Sequence, residues 1–393
     1  MRQLLLFSIT LAGCGGGARQ MGGRERPRRA ETVEMEEIHV RATGEGEDLH
    51  LEAYDAEQLF HEGFARQNRA ECAAAVQFYD RLSTEFRTSR FLSSALYNAA
   101  LCYEHLERFE DARSRYDRLV AELPASADVK DALYRRGGCE ERLSDGARAE
   151  ATFTALLSRT DLTPDEQLEA MVRRGSALLL QDRLDECEEQ IRGGLAFYRR
   201  GAGPERFETD FFVAQAQYML GEVLRVHFER VRFQAGEAEM RRDLELKSRL
   251  LLDAQTEYIL AIRVTNPHWA AAAGFRIGEI FSNFYAHIMA APVPPEVAAD
   301  PEAREIYFEE LRSQIRPLVQ KAIRVWERTI LMSERTGIHN EWVDRTTEQL
   351  DQVRRMLVGG GAAASPSAPA APAAPARPPP VPAGGQQDPG PVG

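Results

Sequence analysis

The sequence predicts an all-α chain: a solenoid of antiparallel helix hairpins with a C-terminal capping helix and disordered termini. Three observations predict it. A lag of 37 residues brings Leu59, Leu96 and Leu133 into register, and likewise Ala75, Ala112 and Ala149, then Tyr79, Tyr116 and Phe153, then Leu82, Leu119 and Leu156. A period of this length marks stacked helical units, none of which can bury its apolar face alone. Ala, Leu, Glu and Arg dominate a composition that is 44% hydrophobic and 28% charged, which suits amphipathic helices. Finally, Gly63, Ala100, Gly137 and Gly175 place a small residue where two helices must cross closely in four successive units.

The N-terminus reads as a processing signal over residues 1–13. Arg2 is followed by an apolar run from Leu4 to Ala12, too short to span a bilayer, and then by Leu11-Ala12-Gly13-Cys14. This order resembles the lipobox of bacterial lipoproteins. The resemblance implies cleavage before Cys14 and acylation, palmitate included, of its thiol and new amino group. Gly15 at the second mature position resembles the pattern sorted to the outer membrane of a diderm bacterium, facing the periplasm. Several acyl chains give stable anchoring where one would be marginal.

Residues 14–50 are expected to be a flexible tether whose charge changes sign, from Arg19, Arg24, Arg26, Arg28 and Arg29 to Glu31, Glu34, Glu36 and Glu37. The arginines suit either anionic headgroups or plain solvation. Glu37-Ile38-His39-Val40-Arg41 alternates like a short strand, which has no stability without a partner.

Over residues 51–200 the helical period dominates and predicts about four hairpins. In the second unit Leu96, Ala100, Tyr103, Phe109, Ala112, Tyr116 and Pro124 occupy the signature positions of the tetratricopeptide repeat (TPR). The chain thus resembles a TPR protein. Its period is longer than the usual 34 or so, and with phrases such as Ser94-Ala95-Leu96-Tyr97-Asn98-Ala99-Ala100 it resembles the envelope branch of that family. That branch includes the TPR lipoprotein of the β-barrel assembly machine and the Tol-Pal-associated periplasmic TPR proteins.

Residues 201–358 are expected to hold longer, divergent hairpins. Phe211 to Arg230 pairs with Leu246 to Val264 across a charged insertion at Arg232 to Asp243, and Trp269 to Met289 pairs with Glu305 to Arg335. Asn340 to Leu357 alternates apolar and charged faces, as a solenoid cap requires. In the tail, residues 359–393, Pro366, Pro369, Pro372, Pro375 and Pro378 recur at the polyproline II period, which suits a spacer or a ligand for an aromatic-lined groove.

A net charge of −12 excludes the basic footprint of a nucleic-acid binder. No HExxH, glycine-rich phosphate loop, GxSxG or zinc-spaced cysteine pair occurs, and the eight histidines share no helix face. The chain is therefore expected not to be an enzyme and to use no cofactor and no metal. Cys102 and Cys139 stand at equivalent positions of neighbouring units, where helices lie roughly 8–10 Å apart, while a bridge needs Cα atoms within about 7 Å. Cys72 with Cys102 joins adjacent units and is less excluded; Cys187 stands apart.

By the TPR resemblance, the first helix of each hairpin lines a concave groove for protein or peptide partners. Phe60, Tyr97 and Tyr134 form an aromatic ladder there, with Phe64, Leu101, Glu104, His105, Glu141 and Arg142 nearby. The same rings would also suit packing between helices. The function these features imply is a scaffold anchored to the membrane by acyl chains, recruiting envelope proteins for outer-membrane assembly, division and peptidoglycan work, or gliding motility. The alternative is a non-catalytic receptor or accessory protein that binds peptidoglycan, glycan or peptide ligands in the groove.

Overall fold

Helix ends decide how much of this chain folds, because each of the first four hairpins closes its first helix with the same backbone device. The computed structural model describes residues 37–43, 50–201, 207 and 209–359. The signal segment with Cys14, the arginine-rich stretch and the proline-rich tail lie outside the described residues.

Among those residues are fourteen helices and two strands. In the N-terminal unit, which ends at Ala53, β1 (His39–Thr43) pairs with β2 (His50–Tyr54). The strand expected at residues 37–41 therefore has a partner, in a stretch assigned above to the tether and the first repeat.

The second unit begins at Tyr54. Its first helix starts at Ala56, not Leu51, because Asp55 is extended and its carboxylate accepts the Gln58 amide at 2.8 Å. The hairpins are α1 (Ala56–Gln67) with α2 (Cys72–Glu85), α3 (Leu92–His105) with α4 (Phe109–Glu122), α5 (Val129–Arg142) with α6 (Gly146–Leu157), and α7 (Pro164–Leu180) with α8 (Leu184–Arg200). Two longer pairs follow, α9 (Phe211–Arg230) with α10 (Glu237–Arg263), and α11 (Pro267–Met289) with α13 (Pro301–Thr336) after the short α12 (Pro295–Ala298). The last helix, α14 (Glu341–Gly359), lies against α13 and α11 as the first helix of a further hairpin would.

In the first four hairpins the turn carries a left-handed residue at Ala70, Glu107, Ser144 and Asp182, with φ between 58° and 61°. The next amide then donates back across the helix end: Glu71 to Arg66, Arg108 to Tyr103, Asp145 to Glu140 and Arg183 to Leu178, at 2.9–3.0 Å. This is a Schellman closure built without glycine, at a cost of about 1 kcal/mol per turn. The fixed turn keeps both helices in one register, so that the small residue of the first meets the large side chain of the second. A Cβ on Gly63 would come within 2.8 Å of the Tyr79 ring, and one on Gly221 within 2.5 Å of Tyr258.

Buried side chains form two clusters, one running from Tyr54 to Ala177 and one from Leu168 to Val353. α7 belongs to both. Ala170 and Ala177 join the first, while Leu168, Val172 and Leu178 join the second. Two helices start earlier than the apolar period indicates. α10 begins at Glu237, where the charged insertion was expected, since its first buried side chains are the polar Asp243 and Lys247. α13 begins at Pro301, capped by Asp300. No helix among the described residues is long and apolar enough to cross a membrane.

Candidate functional site

The first helices stack on one another through a repeated relay of three side chains. In the first repeat the Tyr79 hydroxyl, on α2, donates to Gln67 of α1 at 2.7 Å, and Asn98 of α3 acts on the same hydroxyl. One repeat on, the Tyr116 hydroxyl of α4 donates to Glu104 of α3 at 2.5 Å, and Arg135 of α5 reaches the same carboxylate at 3.2 Å. In the third, Phe153 has no hydroxyl, and Arg173 of α7 lies over its ring at 4.7 Å while binding Glu141 of α5 at 2.7 Å. The longer hairpins repeat the relay one helical turn away. Tyr258 of α10 donates to Glu222 of α9 at 2.6 Å, and Arg276 of α11 lies 3.0 Å from that carboxylate.

The candidate groove residues divide accordingly. The Tyr97 ring meets Tyr116 at 5.8 Å and the Arg135 guanidinium acts on its hydroxyl; the Tyr134 hydroxyl donates to the Glu166 carbonyl at 2.7 Å. Both rings are half-buried between consecutive hairpins. Glu141 is buried against Arg173, Arg142 lies over Phe109 of the preceding hairpin at 4.8 Å, Leu101 is half-buried, and His105 is exposed. Phe60 and Phe64 remain, half-buried and stacked at 6.1 Å.

Sequence reasoning missed their neighbour Phe91, which stacks on Phe60 at 5.2 Å, with the Arg90 guanidinium over its ring at 4.7 Å. Phe91 precedes α3 in the connecting loop, where no helical period applies. His61, exposed, meets the Phe91 ring at 6.3 Å. Phe60, Phe64 and Phe91 thus form one half-buried ring group at the first two hairpins.

The relays differ in charge balance. Arg173 alone serves both Glu141 and Glu169, at 2.7 and 3.2 Å. Burial raises the pKa of both acids, and the shared guanidinium offsets it only in part. Burial likewise outweighs Arg135 at Glu104. Glu222 has the opposite balance: burial acts to raise it, but Arg225 and Arg276 together hold its carboxyl down at about 2.

The raised acids take up protons more readily folded than unfolded, so acidification toward the unfolded carboxylate value near 4.3 stabilises α3–α7 relative to neutral pH. Glu222 contributes stability above that value and loses it as the pH falls toward 2, a loss of about 3 kcal/mol. Hydrogen exchange, corrected for intrinsic rate, should therefore show α3–α7 gaining protection between neutral pH and the mid-fours. Below that, α9–α11 should open first.

Residues 94–126 match the tetratricopeptide repeat family, which covers α3 and α4. No curated protein sequence is matched. Among solved structures the chain is similar to YrrB, a TPR protein with an unusual peptide-binding site, at 19% identity over 54% of this chain and 92% of that one, with a TM-score of 0.34. It is similar to a tetratricopeptide repeat protein from Parabacteroides merdae at 12% identity, over 76% and 98% of the two chains, with a TM-score of 0.36. It is also similar to MamA from Desulfovibrio magneticus at 12% identity, over 51% and 96%, with a TM-score of 0.34. The family match thus falls on the second hairpin of an all-α solenoid.

Proposed function

We propose that this tetratricopeptide-repeat chain is a scaffold of the bacterial envelope, held at the outer membrane through acylated Cys14 and facing the periplasm, where it gathers protein partners without performing chemistry on them. The anchoring half of this reading rests on the Leu11-Ala12-Gly13-Cys14 sequence after an apolar run. The binding half is carried by one observation, the half-buried Phe60–Phe64–Phe91 ring group, whose rings carry no polar group, while the equivalent Tyr97 and Tyr134 have polar partners on the next hairpin. Stacked rings with a charged rim suit an apolar side chain or helix of a partner. An anchor and a fixed binding surface raise the local concentration of whatever they hold.

The test uses a photocrosslinking residue at position 61 in the native cell. Envelope proteins should be captured from that position, and Phe60→Ala with Phe91→Ala should abolish their capture. Recovery of muropeptide or glycan in place of protein would turn the assignment to a receptor. Cys14→Ser should move the chain from the membrane fraction to the soluble one; a variant that stays with the membrane would refute the anchor.

A further inference from the structure

α2 and α3 lie against each other where the first hairpin meets the second. Cys72 is the first residue of α2, and Cys102 lies in the last turn of α3. Both are buried in the same cluster, Cys72 at 7% exposure and Cys102 at 0%. Besides burial, the Cys72 thiol is the group that acts on the Cys102 thiol, and both act on the buried hydroxyl of Tyr79, which lies two turns along α2 from Cys72. Three side chains from two hairpins therefore converge. The other buried cysteines have different company: the groups acting on Cys139 are Glu104, Glu140, Arg135 and Arg173, and the one acting on Cys187 is Glu188.

We propose that Cys72 and Cys102 form a redox pair that closes into a disulfide joining the first hairpin to the second. The oxidant is a disulfide compound. When α2 and α3 part transiently, Cys72, the less buried thiol, attacks it and becomes a mixed disulfide, releasing one half of the oxidant as a thiol. Cys102 then attacks the Cys72 sulfur, and the second half leaves as a thiol. Two protein thiols are oxidised, one oxidant disulfide is reduced, and the two protons end on the released thiols. Burial, which pushes the Cys102 thiol up, keeps the pair reduced until the hairpins separate. Once closed, the bond removes chain freedom from the opened state, so this junction resists fraying.

The test treats the full chain with oxidised glutathione, then with N-ethylmaleimide under denaturing conditions. Peptide mapping should recover the Cys72 and Cys102 peptides joined, lighter than their sum by two hydrogens, while Cys139 and Cys187 are alkylated. Cys102→Ala should leave Cys72 carrying the glutathione adduct. Alkylation of both Cys72 and Cys102 after oxidation, or a bond from Cys72 to Cys139 or Cys187, would overturn the proposal.

Discussion

Arg173→Ala is expected to destabilise the middle hairpins by about 3–5 kcal/mol, the cost of removing one partner from a buried ion pair. Arg173 and Glu141 are 4% and 5% exposed at the side chain. Glu141 already has one carboxylate oxygen with no hydrogen-bond partner. Without Arg173, Glu141 and Glu169 would share one buried site with no cation of their own, and the Arg173 bond to the Tyr134 carbonyl at 3.3 Å would also be lost. The defect should shrink on acidification, because protonating the two acids removes the uncompensated charge. The triple variant Glu141→Leu, Glu169→Gln and Arg173→Met should recover most of the loss, since removing both acids along with their cation avoids stranding a charge. A solenoid need not unfold in one step, so protection must be read hairpin by hairpin, by hydrogen exchange over α5 and α7. A loss confined to α11–α14, or one independent of pH, would contradict the relay.

The same relay shows which parts of the site the sequence carries. Gln67, Glu104 and Glu141 stand at one repeat position and are chemically related, so that column is legible. Their partners, Asn98, Arg135 and Arg173, also keep the repeat spacing, but an amide followed by two guanidiniums forms no recognisable pattern until contacts are known. The first three hairpins are legible because each buries Ala, Leu and an aromatic ring at a fixed lag.

Legibility fails where burial is polar or where no helix is present. α10 starts nine residues before Leu246, because Asp243 and Lys247 are its inward positions, and Lys247 is accommodated by donating to the Phe228 and Val231 carbonyls. β2 was obscured because its alternation, His50 to Tyr54, runs directly into the helical period. Phe91 reaches Phe60 from a loop, beyond the scope of any periodicity argument.

Trp326→Ala should destabilise the last hairpin by about 3–5 kcal/mol. The indole is fully buried, and its N–H donates to the Phe275 carbonyl at 3.1 Å. It lies directly over Gly278 of α11, so closely that a Cβ there would overlap the indole nitrogen. Gly278→Leu alone should therefore cost about 1–3 kcal/mol or more through overpacking. Combined, the two changes should cost less than their sum by about 2 kcal/mol, because the leucine enters the space the indole has left. Strict additivity would mean that α11 and α13 do not cross at this point. The damage should also stay local: α11, α13 and the docked α14 lose protection while α1–α4 keep theirs, since each hairpin depends chiefly on its immediate neighbours. Partner capture at position 61 should survive Trp326→Ala for the same reason, which separates the stability of the C-terminal hairpins from binding at the N-terminal ones.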